Sequence, residues 1–152
     1  KSEIFQALGK AWEIDSRILV EEGLEVREIE CGIIGNSQLL TSEIGEVKYE
    51  SDWYDYDSKY NLNNEITIPA EIDSKITKQI KEIAIQSCRA LNIFGFARVD
   101  FFLEKLSNKI LINEINTIPG FTKKSMFPML WKASGLNIEQ LVAKLVDISL
   151  DL

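Results

Sequence analysis

"GFARVDFFLEKLSNKILINEINTIPGF", residues 95–121, contains two runs rich enough in Ile, Val and Phe to be buried strands, yet Arg98, Asp100, Glu114 and Asn116 stand inside them. An unpaired charge inside a fold costs several kcal/mol, so these residues must be solvated, paired or bound to something. Side chains alternate along a strand, so Phe96, Arg98, Asp100 and Phe102 share one face of the first run. Ile110, Ile112, Glu114 and Asn116 share one face of the second. A turn centred on Ser107 sets Asp100 opposite Glu114 and Arg98 opposite Asn116, a register that a one-residue bulge would shift. Directly opposed residues lie roughly 5 Å apart. Two opposed carboxylates repel unless a cation lies between them. Asp, Glu and Asn offer only oxygen, the donor type Mg²⁺ takes. Arg98 adds a positive charge for a phosphoryl group or an anionic intermediate. The alternative is a structural salt bridge between Arg98 and Asp100 or Glu114, which leaves one carboxylate unpaired. Asn116 could equally serve as a turn residue ahead of Pro119 and Gly120.

The composition narrows the chemistry. The chain has 152 residues, 45% of them hydrophobic and 27% charged, with three prolines and eight glycines, as in one globular domain. It has no histidine, which removes His-based acid and base catalysis, serine-type triads and the usual zinc sites. A net charge of −7 argues against a nucleic-acid partner. No apolar run is long enough to span a membrane and no export signal opens the chain, so a cytoplasmic location is expected. Cys31 and Cys88 read as reduced core thiols.

Around the hairpin the pattern is mixed. Residues 2–12 carry Ile4, Leu8 and Ala11 or Trp12 at helical spacing. "RILVEEGLEVREIECGIIGN" (17–36) reads as two strands, an apolar run ending at Glu21 and, after a turn near Gly23, an alternating run with Ile29, Cys31 and Ile33 on one side and Glu28 and Glu30 on the other. "GEVKYE" (45–50) is a further strand, and "SDWYDYDSKYNLNN" (51–64) an aromatic, polar loop. "ITIPA" gives a short strand stopped by Pro69. Asp73 or Ser74 then caps a helix to about Leu91, with Ile76, Ile80, Ile83, Ala84 and Ala90 or Leu91 inward. After the hairpin come helices in "SMFPMLWKASG" and "NIEQLVAKLVDISL", the second capped by Asn137. Antiparallel pairing with helices stacked beside it indicates an α+β fold, mainly one antiparallel sheet with flanking helices.

Four segments, "VEEGLEVREIEC", "WYDYDSKY", "ARVDFF" and "INEINTIPGF", resemble in sequence and order the carboxy-terminal half of the D-alanine:D-alanine ligases of the ATP-grasp superfamily, over about residues 17–150. The resemblance implies that ATP phosphorylates the carboxylate of one D-alanine and that the amine of a second displaces phosphate from the acyl phosphate, giving D-alanyl-D-alanine for peptidoglycan. Matched to the family's motifs, Asp100, Glu114 and Asn116 hold two Mg²⁺ ions, for which Mn²⁺ can substitute, with Glu114 bridging. Arg98 and the backbone N–H of Gly120 face the oxyanion of the tetrahedral intermediate. Adenine goes to Glu21 and to the backbone of Glu22 and Leu24, and the ribose to Glu28, which without the resemblance reads as a solvent-facing strand residue. The aromatic loop resembles the family's lid, in which Lys59 meets phosphate or the substrate carboxylate and Tyr60 positions the second substrate. Ser125 and Met126 match positions that hold the second D-alanine's carboxylate, against a plain helix-capping role for Ser125.

The family's amino-terminal domain, its small-residue phosphate loop and its phosphate-binding lysines have no counterpart in these 152 residues. A carboxy-terminal portion that cannot ligate alone is therefore expected, from a full-length protein that is a homodimer. Within the class, the alternatives are ligases forming D-alanyl-D-serine or D-alanyl-D-lactate. Tyr60 suits the dipeptide-forming pattern better than the depsipeptide one, where the family commonly places histidine. Outside the class stands a noncatalytic module that binds a cation or nucleotide.

Overall fold

A computed structural model describes residues 2–48 and 65–151, in which five strands form one antiparallel sheet. The strands are β1 (Val26–Gly35), β2 (Leu39–Lys48), β3 (Glu65–Thr67), β4 (Gly95–Glu104) and β5 (Ile110–Asn116), and the sheet order is β3-β2-β1-β4-β5. Helices α1 (Ser2–Trp12), α2 (Ser74–Ala90), α3 (Met126–Ala133) and α4 (Ile138–Leu150) complete the α+β architecture expected from the sequence.

Alternation divides the residues of β1 and β4 between two faces. On one face Ile29, Cys31 and Ile33 of β1 and Ala97, Val99, Phe101 and Leu103 of β4 pack with Ile80, Ala84 and Cys88 of α2. The α2 residues are four apart, one stripe of the helix, and Asp73 caps the helix by accepting from the Lys75 backbone N–H at 2.8 Å. Continued along the axis, this stripe rotates away from Ala90 and Leu91, which are exposed rather than inward. Both cysteines are buried free thiols, and desolvation pushes them up, Cys31 to about 12 and Cys88 to about 11.

The opposite face is apolar at one end and polar at the other. At the apolar end Ile34 packs with Phe127, Trp131 and Leu141, under α3 and α4. Phe96 joins them, its ring centroid 5.7 Å from that of Phe127. The helix α3 can approach because β1 and β2 carry glycine beneath it. A Cβ on Gly32 would fall 2.8 Å from Trp131 Nε1, and one on Gly45 2.8 Å from Leu130 Cδ2. Asn137 closes the other end of this layer with a capping box to Gln140.

Three expectations change. Residues 18–25 form no strand, and Leu19 and Val20 are exposed, because β1 is already flanked by β2 and β4 and offers no free edge to that segment. The strand expected at 45–50 begins earlier, at Leu39, and residues 49–50 lie outside the described residues. Its first half is hidden by a bulge between Cys31 and Ile33, where the Gly32 N–H donates to Ser42 Oγ at 2.8 Å and strict alternation is lost. The hairpin turn is displaced as well. Glu104 and Lys109 close it, Asn108 takes the left-handed conformation at φ 56°, and the pairing near the turn is Leu103 with Ile110.

On the α2 face, the Arg27 guanidinium grips the buried Glu46 carboxylate with two bonds of 2.7 Å and reaches the Glu71 carbonyl at 3.0 Å. Removing only the cation strands a buried carboxylate. Arg27→Met is expected to lower unfolding free energy by about 3 kcal/mol in urea titrations, and adding Glu46→Met to recover most of it. An Arg27→Met loss that the second substitution leaves untouched would contradict this.

Candidate functional site

The polar end of the sheet is built by β1, β4 and β5. Arg98 pairs with Asn116 and Asp100 with Glu114 across β4 and β5, the register read from the sequence at these positions. It is reached by a different route. Near the turn the partners are Leu103 with Ile110 and Phe101 with Ile112, and a bulge between Asp100 and Phe101 inserts Asn113. The extra residue reverses the phase of β5. Ile110 and Ile112 therefore lie on the α2 face with Leu103 and Phe101, whereas Glu114 and Asn116 join Asp100 and Arg98 on the other. The expectation that all four β5 residues share a face is corrected, because unbroken alternation would have put two isoleucines into the polar patch.

Within the patch Arg98 forks onto Asp100, donating from Nε to Oδ1 and from Nη2 to Oδ2, both at 2.7 Å. Asn116 Nδ2 donates to Asp100 Oδ2 at 2.9 Å and to Glu114 Oε1 at 3.2 Å. A further carboxylate completes the cluster. Glu30 is the β1 partner of Asp100, and its Oε2 lies 2.9 Å from Arg98 Nε. Carboxylates thus outnumber the guanidinium three to one. Burial would lower the Arg98 pKa, but the hydrogen bonds to Asp100 and the charges of Glu30, Asp100 and Glu114 raise it, so the residue stays cationic. Asp100 is raised above its ordinary value, chiefly by desolvation, with the Arg98 hydrogen bonds and charge opposing and the Glu114 charge adding.

The ion pair foreseen as a structural alternative is therefore present, and it coexists with the oxygen cluster. Among the described residues no group of three or more His, Cys, Asp or Glu stands preassembled around a metal position. The donor set nevertheless suits a hard cation, since Asp100, Glu114 and Asn116 offer oxygen only and Arg98 already stands between carboxylates as a positive charge. The Arg98 fork and the Asn116 amide nitrogen both stand on the Asp100 oxygens that such a cation would meet.

The other candidate residues stand on separate elements and loops. Glu28 lies on the same face of β1, half-buried opposite Phe102. Glu21 and Glu22 are exposed, and Leu24 half-buried, in the unpaired approach to β1. Gly120 is exposed in the loop after β5. Ser125 occupies the N-cap position of α3 without capping it, its Oγ accepting instead from the Thr122 N–H at 3.0 Å. Met126 is buried and its sulfur lies against Gly45, so its backbone N–H at the start of α3 is the group left for a ligand. Lys59 and Tyr60 lie outside the described residues.

Glu30 was not singled out from the sequence. Alternation placed it beside Glu28, but its meeting with Arg98 depends on the long-range pairing of β1 with β4.

This topology is that of the carboxy-terminal part of an ATP-grasp domain. It superposes on a D-Ala:D-Ser ligase, VanG, from Enterococcus faecalis with a TM-score of 0.86 at 38% identity, covering 97% of this chain and 43% of that one. Against a D-alanine-D-alanine ligase from Coxiella burnetii the values are 0.83 and 36%, covering 99% and 39%. A family model described as "D-ala D-ala ligase C-terminus" matches residues 1–147, and the chain belongs to that family. It is 88% identical over all 152 residues to a D-alanine--D-alanine ligase of Prochlorococcus marinus strain MIT 9312, and 50% identical over 150 residues to that of strain NATL2A. The matches cover 100% and 98% of this chain but only 43% of each of these two relatives.

A carboxyl whose pKa is raised on folding contributes stability at low pH that is lost as pH rises through the folded-state value. With divalent cations chelated, Asp100→Asn should therefore gain on the unaltered protein as pH is raised from about 4 towards 7, whatever constant offset the lost Arg98 fork adds. Urea titrations of both proteins across that range measure the difference, and a flat difference would contradict the account.

Proposed function

We propose that this chain is the nucleotide- and metal-binding part of an ATP-dependent D-alanine:D-alanine ligase acting in the cytoplasm in peptidoglycan precursor synthesis. The observation that carries the reading is the opposition of Asp100 and Glu114 on one face, with Asn116 beside them and a guanidinium holding the place of a cation. Supporting it are curated relatives up to 88% identical named as D-alanine ligases. The whole enzyme needs more chain than these 152 residues, which span less than half of those relatives.

In this reading Asp100, Glu114 and Asn116 hold two Mg²⁺ ions, with Glu114 shared. Held there, the ions would supply positive charge to offset the charge that develops during phosphoryl transfer. Glu28 accepts from the ribose hydroxyls, and Glu21 with the backbone of Glu22 and Leu24 receives adenine. The carboxylate of one D-alanine is phosphorylated by ATP, and the amine of a second displaces phosphate. Arg98, released from Asp100, donates together with the Gly120 N–H to the oxygen that becomes negative in that displacement. The Ser125 hydroxyl and the Met126 N–H hold the second substrate's carboxylate, and Lys59 and Tyr60, outside the described residues, are assigned to phosphate and to the second substrate by the family resemblance alone.

A D-serine acceptor is the second reading, prompted by the likeness to VanG at 38% identity. The much higher identity to D-alanine--D-alanine ligases favours D-alanine. The test is Glu114→Gln in the full-length protein. Dipeptide formation from ATP and D-alanine should fall at least roughly 100-fold, about 3 kcal/mol in the barrier, with the melting temperature held within a few degrees. Unchanged turnover would defeat the metal reading. Faster use of D-serine than D-alanine as acceptor, in competition, would move the assignment to the second reading.

A further inference from the structure

Glu30 is a buried carboxylate of the polar patch to which the proposed chemistry gives no task. Its side chain is 12% exposed, directly across the β1–β4 ladder from Asp100, whose side chain is equally buried. Sheet physics disfavours that choice, since opposed like charges destabilise and a buried carboxylate costs several kcal/mol unless paired. A neutral residue at this position would serve the fold better. The group that Glu30 meets is Arg98 Nε, at 2.9 Å, the same nitrogen that donates to Asp100 Oδ1 at 2.7 Å.

We infer that Glu30 is a positioning residue for Arg98, taking over the guanidinium when Asp100 turns to a metal ion. This rests on the ligase reading given above. A cation that binds the Asp100 oxygens removes the fork on which Arg98 now depends. Arginine has five donors in a rigid fan on a long side chain, and freed from its partner it loses its defined place. Among the carboxylates of the patch, Glu30 lies within ion-pair distance of Arg98 from a different strand than the proposed metal ligands. Once Asp100 is taken by the cation, the single Nε–H passes to Glu30 Oε2, already 2.9 Å away, and Nη1 and Nη2 are left for the oxygen that becomes negative. Glu30 also draws the guanidinium off Asp100, which lowers the competition the incoming cation must overcome. One carboxylate thus serves both the loading of the metal and the aim of the arginine.

The experiment uses full-length protein, unaltered and with Glu30→Gln, each also in an Arg98→Lys background. Dipeptide formation gives kcat and the KM for ATP, and Mn²⁺ titration followed by electron paramagnetic resonance gives metal affinity without turnover. Glu30→Gln should lower kcat roughly 10- to 100-fold with the KM for ATP within about threefold, and should raise the Mn²⁺ Kd severalfold. In the Arg98→Lys background the same substitution should change kcat less than about threefold, because there is no guanidinium fan left to aim. Should Glu30→Gln fold poorly by its melting curve, Glu30→Asp carries the test. It keeps the charge but shortens the reach, so kcat falls in the Arg98 protein and not in the Arg98→Lys protein. Equal losses in both backgrounds would mean that Glu30 acts on the metal or the fold directly, and would overturn the inference. An unaltered protein that makes no dipeptide overturns the ligase reading and this inference with it, whereas an active protein whose Glu30→Gln variant works at full rate overturns the inference alone.

Discussion

Three carboxylates gathered around one guanidinium decide how the polar half of this sheet can exist. Glu30, Asp100 and Glu114 come from three adjacent strands, and Arg98 touches two of them directly. Without a cation among them, the strands would bring like charges face to face, two of them, Glu30 and Asp100, buried. Arg98 supplies that cation through its fork onto Asp100. Under the proposed function, a hard cation would meet carboxylates that the strand pairing already holds in register.

Two local irregularities make the arrangement compatible with a well-packed core. The bulge at Asn113 lets β5 send Ile110, Ile112 and Ile115 towards the α2 layer while Glu114 and Asn116 turn to the polar patch. The glycines at 32 and 45 let α3 lie close over one end of the same face, so that aromatic packing stops where the charged residues begin. Phe127 and Trp131 at one end and Arg98 and Asp100 at the other thus share a single sheet surface. Phe121 anchors the loop that carries Gly120 and Ser125 in the apolar end.

Much of this is visible in the residues themselves. Period-two alternation placed Arg98 with Asp100 and Glu28 with Glu30, and cap chemistry placed the starts of α2 and α4 at Asp73 and Asn137. The pairings of Asp100 with Glu114 and of Arg98 with Asn116 followed from the turn, although the turn and the bulge each shifted the strand and their effects cancelled at the site. Bulges are poorly legible because they depend on which face each half of a strand must bury. The absence of a strand at 18–25 and the place of Glu30 beside Arg98 depend on which strands neighbour β1, a long-range fact that no local pattern carries.

The proposed function turns on Arg98 yielding Asp100 to a metal ion. A crystal structure of the full-length protein with Mg²⁺ and a non-hydrolysable ATP analogue examines it most directly. An ion about 2.1 Å from oxygens of Asp100, Glu114 and Asn116 is expected, with the Arg98–Asp100 fork opened. An intact fork, with the ion and phosphates held elsewhere, would contradict it.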